Sequence, residues 1–197
     1  VLIQTIGHIT DGTRVDLAST WTNALEGYAL EVSTNCVTLR AGSAAGLFYG
    51  VQSLLQMADA RMASVGQPLE LPAVRIVDAP RFGWRGVMLD ESRHFFGKRT
   101  VEELLDQMAY LKLNRFHWHL TDEPGWRIEI KKYPRLAKIG GQGNASDPQA
   151  PAAYYTQADI REIVEYARRR HIMIIPEIDM PGHATAATRA YPKISGG

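Results

Sequence analysis

A single cysteine, Cys36, occurs in 197 residues, so no intramolecular disulfide can form and no pairing pattern points to an oxidising compartment. No segment approaches the roughly 18 consecutive apolar residues of a membrane-spanning helix, and no membrane partner is expected. Neither charge is in excess. Lys plus Arg number 22 against 21 Asp plus Glu, which leaves no basic field for nucleic acid or anionic lipid. No Gly-x-Gly-x-x-Gly or Walker sequence follows a strand-like segment, which weakens any nucleotide-binding function. The chain starts at Val1 without a signal-peptide pattern, so its compartment stays open. What is present, 45% hydrophobic and 22% charged residues, suits one large globular domain or two small ones.

Residues 1–78 read as a small α+β unit. Tyr28, Leu30 and Val32 alternate with polar neighbours, as do Val37 and Leu39 after the Thr34-Asn35 turn, which predicts a half-buried hairpin. From Ala44 to Met62 the period changes, with Leu47, Val51, Leu54, Leu55 and Ala58 at helical spacing, and this helix should cover the hairpin. Pro68, Pro72 and Pro80 punctuate a short strand at Val74–Val77 and mark the boundary to a second unit, residues 79–197. There the pattern becomes strand, helix, strand, helix, strand. Gly86–Asp90 is the first strand, and Thr100 with Glu103 predicts a capping box on a helix carrying Leu104, Leu105, Met108 and Leu111. Arg115–Leu120 is the second strand. Thr156 and Asp159 box a second helix whose inward residues are Ile160, Ile163, Val164 and Ala167, and the apolar run Ile172–Pro176 reads as a strand covered on both faces. Repeated βα units imply a parallel sheet with right-handed crossovers, open or closed.

Polar residues cluster after the carboxyl ends of these strands, where both open sheets and barrels place their sites. The stretch Arg115-Phe-His-Trp-His-Leu-Thr-Asp-Glu-Pro-Gly-Trp126 is the densest. His117 and His119 share one face of their strand, and Phe116, Trp118 and Leu120 share the other. Two inward histidines suit either a metal site, with His183 as a third ligand, or a hydrogen-bonded core. Asp122 and Glu123 are adjacent carboxylates whose side chains diverge, so Asp122, first after the strand, is the stronger candidate. Arg93 can fork onto hydroxyls or a carboxylate, or pair with Asp90 or Glu91. His183 sits in the stiff loop Pro176-Glu-Ile-Asp-Met-Pro-Gly-His183, either held in one orientation for function or capping a helix that begins near Ala184. Among the aromatic residues Trp126 is the candidate for stacking on a sugar ring, the alternative being a place in the core.

Three motifs, Trp84-Arg-Gly-Val-Met-Leu-Asp-Glu-Ser-Arg-His-Phe-Phe-Gly97, His117-Trp-His-Leu-Thr-Asp-Glu-Pro-Gly-Trp-Arg127 and Pro176–His183, occur in order with strand-like spacing. Together they strongly resemble the retaining β-N-acetylhexosaminidases of glycoside hydrolase family 20. The resemblance covers residues 72–197, and Glu26–Glu31 with Ala45–Gln52 resembles the α+β domain preceding the barrel in that family. It implies an α/β fold, the first three or so βα units of a (β/α)8 TIM barrel, and removal of terminal N-acetylglucosamine or N-acetylgalactosamine from β-linked glycans. In such enzymes the substrate's acetamido oxygen attacks the anomeric carbon, while an aspartate orients that group and a glutamate protonates the leaving oxygen. Carried over by motif, Arg93 would hold sugar hydroxyls, and Asp122 and His183 would support and tune the glutamate. Glu177, His119 and Trp126 complete the candidate set.

The family's Asp-Glu pair follows its fourth strand, and neither Asp90-Glu91 nor Asp122-Glu123 lies in that context. The expectation is therefore a truncated barrel, with the α+β domain incomplete at its start, inactive by itself. It needs no cofactor or metal. A third strand with an open edge calls for a second copy or a companion chain. The resemblance implies a periplasmic, secreted or lysosomal setting. The rivals are a non-catalytic sugar-binding or interaction module and a metal-dependent barrel hydrolase using His117, His119 and His183.

Overall fold

Strands β1 (Leu2–Thr5), β2 (Tyr28–Val32), β3 (Val37–Ala41) and β4 (Val74–Asp78) form one sheet in the order β1-β3-β2-β4. The structure, a computed structural model, describes residues 2–5, 24–59 and 70–195. The expected hairpin is β2 with β3, antiparallel, Leu30 facing Leu39; β4 pairs antiparallel with the other edge of β2. β1, which no alternation singled out, adds in parallel to β3. This sheet and the helix α1 (Ala44–Asp59) belong to a unit comprising residues 1–85 and 109–112. The end once expected at Met62 and the punctuation at Pro68 lie outside the described residues.

Helix α1 packs on Tyr28, Leu30, Leu39 and Ala41, as the sequence pattern requires. Its innermost positions differ from the predicted stripe. Gly46, Tyr49, Gly50, Gln52 and Ser53 are buried, whereas Leu55 is 46% exposed. The reason lies in the two glycines. A Cβ on Gly46 would overlap the Gly27 carbonyl and the Ala41 side chain, and one on Gly50 would overlap Leu39, so bare backbone faces the sheet at both turns. A count of apolar side chains gives glycine no weight and so misses this innermost line, although Leu47, Val51 and Leu54 of the expected stripe pack beside it.

The second unit, residues 86–108 and 113–197, is built on β5 (Gly86–Asp90), β6 (Arg115–Thr121) and β7 (Met173–Ile178), all parallel and side by side in chain order. Helix α2 (Lys98–Tyr110) follows β5; α3 (Arg135–Lys138) and α4 (Gln157–Arg168) follow β6; α5 (Thr185–Ala190) follows β7. Thr156 caps α4 with the reciprocal Asp159 bond expected from sequence. The box expected at Thr100 does not form. Helix α2 begins earlier, Thr100 donates to the Phe96 carbonyl, and Glu103 pairs with Arg99 one turn away. Val101, Leu105 and Met108 are the buried stripe of α2, and Ile163 and Ala167 that of α4; Leu111 and Val164 are exposed.

Pleating sends Phe116, Trp118 and Leu120 to one face of β6, each buried. The opposite face carries two rows set by the register: Met88, His117 and Ile175, then Asp90, His119 and Glu177 nearer the carboxyl ends. The expectation that β7 is covered on both faces is not met. Ile172 is buried, but Met173 and Ile178 are exposed because β7 has a neighbouring strand on one side only. Beside it, Trp118, Leu120, Ile160, Val164 and Ile174 line an apolar groove of about 540 Å³. No helix among the described residues is long and apolar enough to cross a membrane.

The inward face of α1 is testable by urea unfolding. Leu39→Ala, at 2% exposure against Gly50, should lose about 2–5 kcal/mol. Leu55→Ala should stay within about 0.5 kcal/mol, as exposed substitutions do; comparable losses would return Leu55 to the core.

Candidate active site at the strand ends

Asp122 is the first residue beyond β6, and its carboxylate is almost wholly out of water, with the side chain 2% exposed. Each of its oxygens is met twice. Oδ1 accepts from the Glu123 backbone N–H (2.6 Å) and from His183 Nδ1 (3.1 Å), while Oδ2 accepts from Arg93 Nη1 (2.7 Å) and His119 Nε2 (2.9 Å). Four donors fill the lone-pair capacity of a carboxylate. The three side chains come from three different places: the loop after β5, the strand β6 itself, and the loop after β7.

Local structure explains each position. Asp90 ends β5, and its Oδ1 accepts the backbone N–H groups of Ser92 and Arg93, closing a tight turn. Its Oδ2 then takes the Arg93 guanidinium at 2.8 Å, so Arg93 spans Asp90 and Asp122. The expected intrachain pair with Asp90 is made, and the Arg93 side chain remains 41% exposed at the rim. His119 sits in the same cross-strand row as Asp90 and Glu177. Its Nδ1 meets Glu177 Oε2 at 2.8 Å and its Nε2 meets Asp122. Both neighbours are carboxylate oxygens, an arrangement that favours the protonated ring, which alone can donate from both nitrogens. Arg93 Nη1 lies 3.2 Å from His119 Nε2 because two donors share Asp122 Oδ2. Glu177 Oε2 also accepts His117 Nε2 at 2.5 Å.

His183 adopts φ 52°, the left-handed region, which for a residue with a β-carbon costs about 1–3 kcal/mol and persists only where surroundings enforce it. Its ring does not cap the following helix. It turns back to Asp122, and α5 has Ala184 at its N-cap without a side-chain bond. Trp126 offers no open ring face. At 5% exposure it packs with Leu136, Ala186, Ala187 and Ala190, and its ring N–H donates to the Ile128 carbonyl at 2.7 Å. Sequence reasoning named Asp90 only as a partner for Arg93 and passed over Asp179. The signal for Asp90 was its register opposite His119; for Asp179 it is the backbone N–H held by the Thr121 hydroxyl at 2.8 Å.

Asp179 joins two donor sets of the kind that hold a cation: with His119 and Glu177, and with Asp122 and His183, ligand atoms within 4.8 Å of one another. Both sets draw on atoms engaged in the network around Asp122. A metal there competes with Arg93 and with the protons of His119.

Burial works against charge on His119, but its bonds to Glu177 and Asp122 outweigh it and hold its pKa above the ordinary 6.5. Burial likewise opposes charge on Asp122, yet the Glu123 N–H, His119, Arg93 and His183 hold its carboxyl below the usual 3.8. His119 and His117 hold Glu177 below 4.5.

Residues 82–197 match the family model described as glycosyl hydrolase family 20, catalytic domain, and residues 7–79 match that family's domain 2. The chain belongs to glycosyl hydrolase family 20. It is 47% identical over 173 residues to a beta-hexosaminidase of Porphyromonas gingivalis, aligning 86% of this chain with 22% of that protein. It is 43% identical over 175 residues to one of Vibrio furnissii, aligning 84% with 28%. Among solved structures, the Streptomyces plicatus N-acetyl-beta-hexosaminidase complexed with Thio-NAglucal superposes with TM-score 0.80 at 44% identity, over 88% of this chain and 35% of that one. A beta-N-acetylhexosaminidase of Bacteroides fragilis gives 0.77 at 42%, over 87% and 34%. The chain therefore spans roughly a fifth to a third of these family 20 relatives. Its three parallel strands are the opening of the TIM barrel, with the small α+β domain before it.

The paired contacts of His119 set a pH window. A histidine raised in the folded chain contributes fully below its unfolded value near 6.5 and loses that contribution as pH rises through the folded value. Asp122, depressed below 3.8, contributes above its unfolded value and loses the contribution as pH falls through the folded one. The network should thus be tightest between about pH 4 and 6.5. An NMR titration of the His119 ring should give a midpoint above 6.5 that drops in Glu177→Gln. A midpoint at or below 6.5 would contradict the double carboxylate contact.

Proposed function

We propose that this chain is the amino-terminal part of a β-N-acetylhexosaminidase that removes terminal β-linked N-acetylglucosamine or N-acetylgalactosamine with the substrate's acetamido group as nucleophile. The observation that carries the proposal is the convergence of Arg93, His119 and His183 on buried Asp122 at the carboxyl ends of parallel strands. The division proposed is residues 1–78 as the α+β domain and 79–197 as the first part of the barrel; the family models over 7–79 and 82–197 support it. The names of the relatives support the substrate class.

In this proposal Arg93, 41% exposed, holds sugar hydroxyls through the guanidinium donors left over from Asp90 and Asp122. His183 gives its Nδ1–H to Asp122, and the rest of the ring, 56% exposed, is free to face an acid group and tune it. Glu177 and His119 back Asp122 with charge. Trp126 is assigned to supporting the site from below, because its ring is enclosed. Of the adjacent carboxylates, Asp90 is engaged with Arg93, Glu91 with Tyr155 and Asp122 with its four donors. Residues from further along a longer chain would supply the acid and the acetamido-orienting aspartate. The exposed strand β7 and the groove beside it favour coverage by more barrel, a second copy or a companion chain.

The test is titration of the 197-residue chain with N-acetylglucosamine, followed by NMR. Binding should be lost in Arg93→Ala and kept in Trp84→Ala, and a chromogenic N-acetyl-β-glucosaminide should not turn over. Binding untouched by Arg93→Ala would remove Arg93 from the pocket; turnover by this chain alone would reassign the acid. In a protein that completes the barrel, Asp122→Asn should lower kcat about 10²–10⁴-fold, the range of a perturbed acid–base group.

A further inference from the structure

Arg127 is the residue whose environment the mechanism leaves unexplained. It is 1% exposed, a positive charge out of water, and yet among the described residues no carboxylate bonds its guanidinium. Instead it donates to five backbone carbonyls: Glu91 (3.1 Å), Ser92 (2.8 Å), Gly141 (2.5 Å), Gly143 (2.7 Å) and Ala153 (3.2 Å). The first two belong to the turn that presents Arg93. The other three belong to the Gly/Pro/Ser-rich segment between α3 and α4, and that segment returns to the same turn, since the Ala145 N–H donates to the Arg93 carbonyl at 2.8 Å.

Compensating charge lies next door. Glu91 is fully buried, its Oε1 accepting the Tyr155 hydroxyl at 2.6 Å and its Oε2 the Phe96 N–H at 2.8 Å. Ser92, also fully buried, donates its hydroxyl to the Gly125 carbonyl at 2.7 Å. Gly125 is glycine for a matching reason: a Cβ there would overlap the guanidinium of Arg127. The turn is therefore held from both flanks by groups that never reach the pocket. Five donors in one rigid plane can span five fixed carbonyls, and an ammonium cannot.

We propose that Arg127, backed by Glu91 and Tyr155, is a positioning residue that fixes Arg93 on Asp122 by clamping the 91–92 carbonyls to the 141–153 segment. Arg127 contacts neither sugar nor Asp122; it acts through the backbone that carries Arg93. The value of a positioned Arg93 for N-acetylhexosamine binding rests on the function proposed above, whereas the clamp itself does not.

The experiment reads the Arg93 guanidinium directly. In the 197-residue chain its N–H signals should show hindered rotation, as expected of a group ion-paired to Asp90 and Asp122. In Arg127→Lys that hindrance should be lost, and N-acetylglucosamine affinity should fall about 10–100-fold, the loss expected for a hydrogen bond to a charged group. Leu105→Ala, a buried apolar truncation in α2, is the control for lost stability and should leave the Arg93 signals as they were. Should Arg127→Lys fail to fold, Gly125→Ala displaces the guanidinium without removing charge and should produce the same change. Unaltered Arg93 signals in whichever of these two variants folds, or an equal change in Leu105→Ala, would overturn the clamp. Hindered rotation that is present in the wild-type chain and lost in Arg127→Lys, in a wild-type chain that binds no N-acetylglucosamine, would uphold the clamp and refute the sugar site.

Discussion

A carboxylate held out of water organises the second unit. Asp122 has no solvent to stabilise its charge, so its oxygens must find donors within the protein, and they find four. Those donors lie in the loop after β5, in β6 and the loop that follows it, and in the loop after β7. Satisfying one buried charge therefore ties three successive strand ends into a single arrangement, and none of the three loops can shift without uncovering it. The row of Asp90, His119 and Glu177 supplies the alternating charge that keeps His119 protonated between its neighbours.

The same logic runs one layer out, with the signs reversed. Around Arg127 a buried cation is surrounded by carbonyl oxygens, and Glu91 provides the balancing charge without touching it. Burial pushes the Glu91 carboxyl up and the Arg127 guanidinium down; hydrogen bonds from Tyr155 and the Phe96 N–H oppose the first shift, and the field of Glu91 opposes the second. Two polar centres, one anionic and one cationic, thus flank the short turn 91–93. Arg93 takes its position from the first, and the clamp proposed for the second holds the backbone that carries it.

Much of this was legible in the sequence, for reasons that particular residues make clear. The hairpin at Tyr28–Ala41 follows from period-two alternation, and the start of α4 from the Thr156 and Asp159 pair, because both signals are local. Arg93, Asp122 and His183 could be picked out because each follows an apolar strand. The failures are equally physical. Gly46 and Gly50 pack by having no side chain, so the innermost line of α1 was missed, although Leu47, Val51 and Leu54 of the expected stripe do pack beside it. Thr100 lies inside a helix that starts earlier, at Lys98 beyond the positive φ of Gly97. The Arg127 contacts are to carbonyls, and every residue has one; no pattern of side chains can announce which five will be chosen.

The left-handed backbone at His183 sets two demands against each other. Glycine would suit those dihedral angles without strain, and a chain selected only for a sturdier loop would drift toward it. That replacement would strip a donor from Asp122 Oδ1 and leave the anion short of company. Durability and chemistry pull on this codon in opposite directions, and the imidazole's presence there records which of them prevailed.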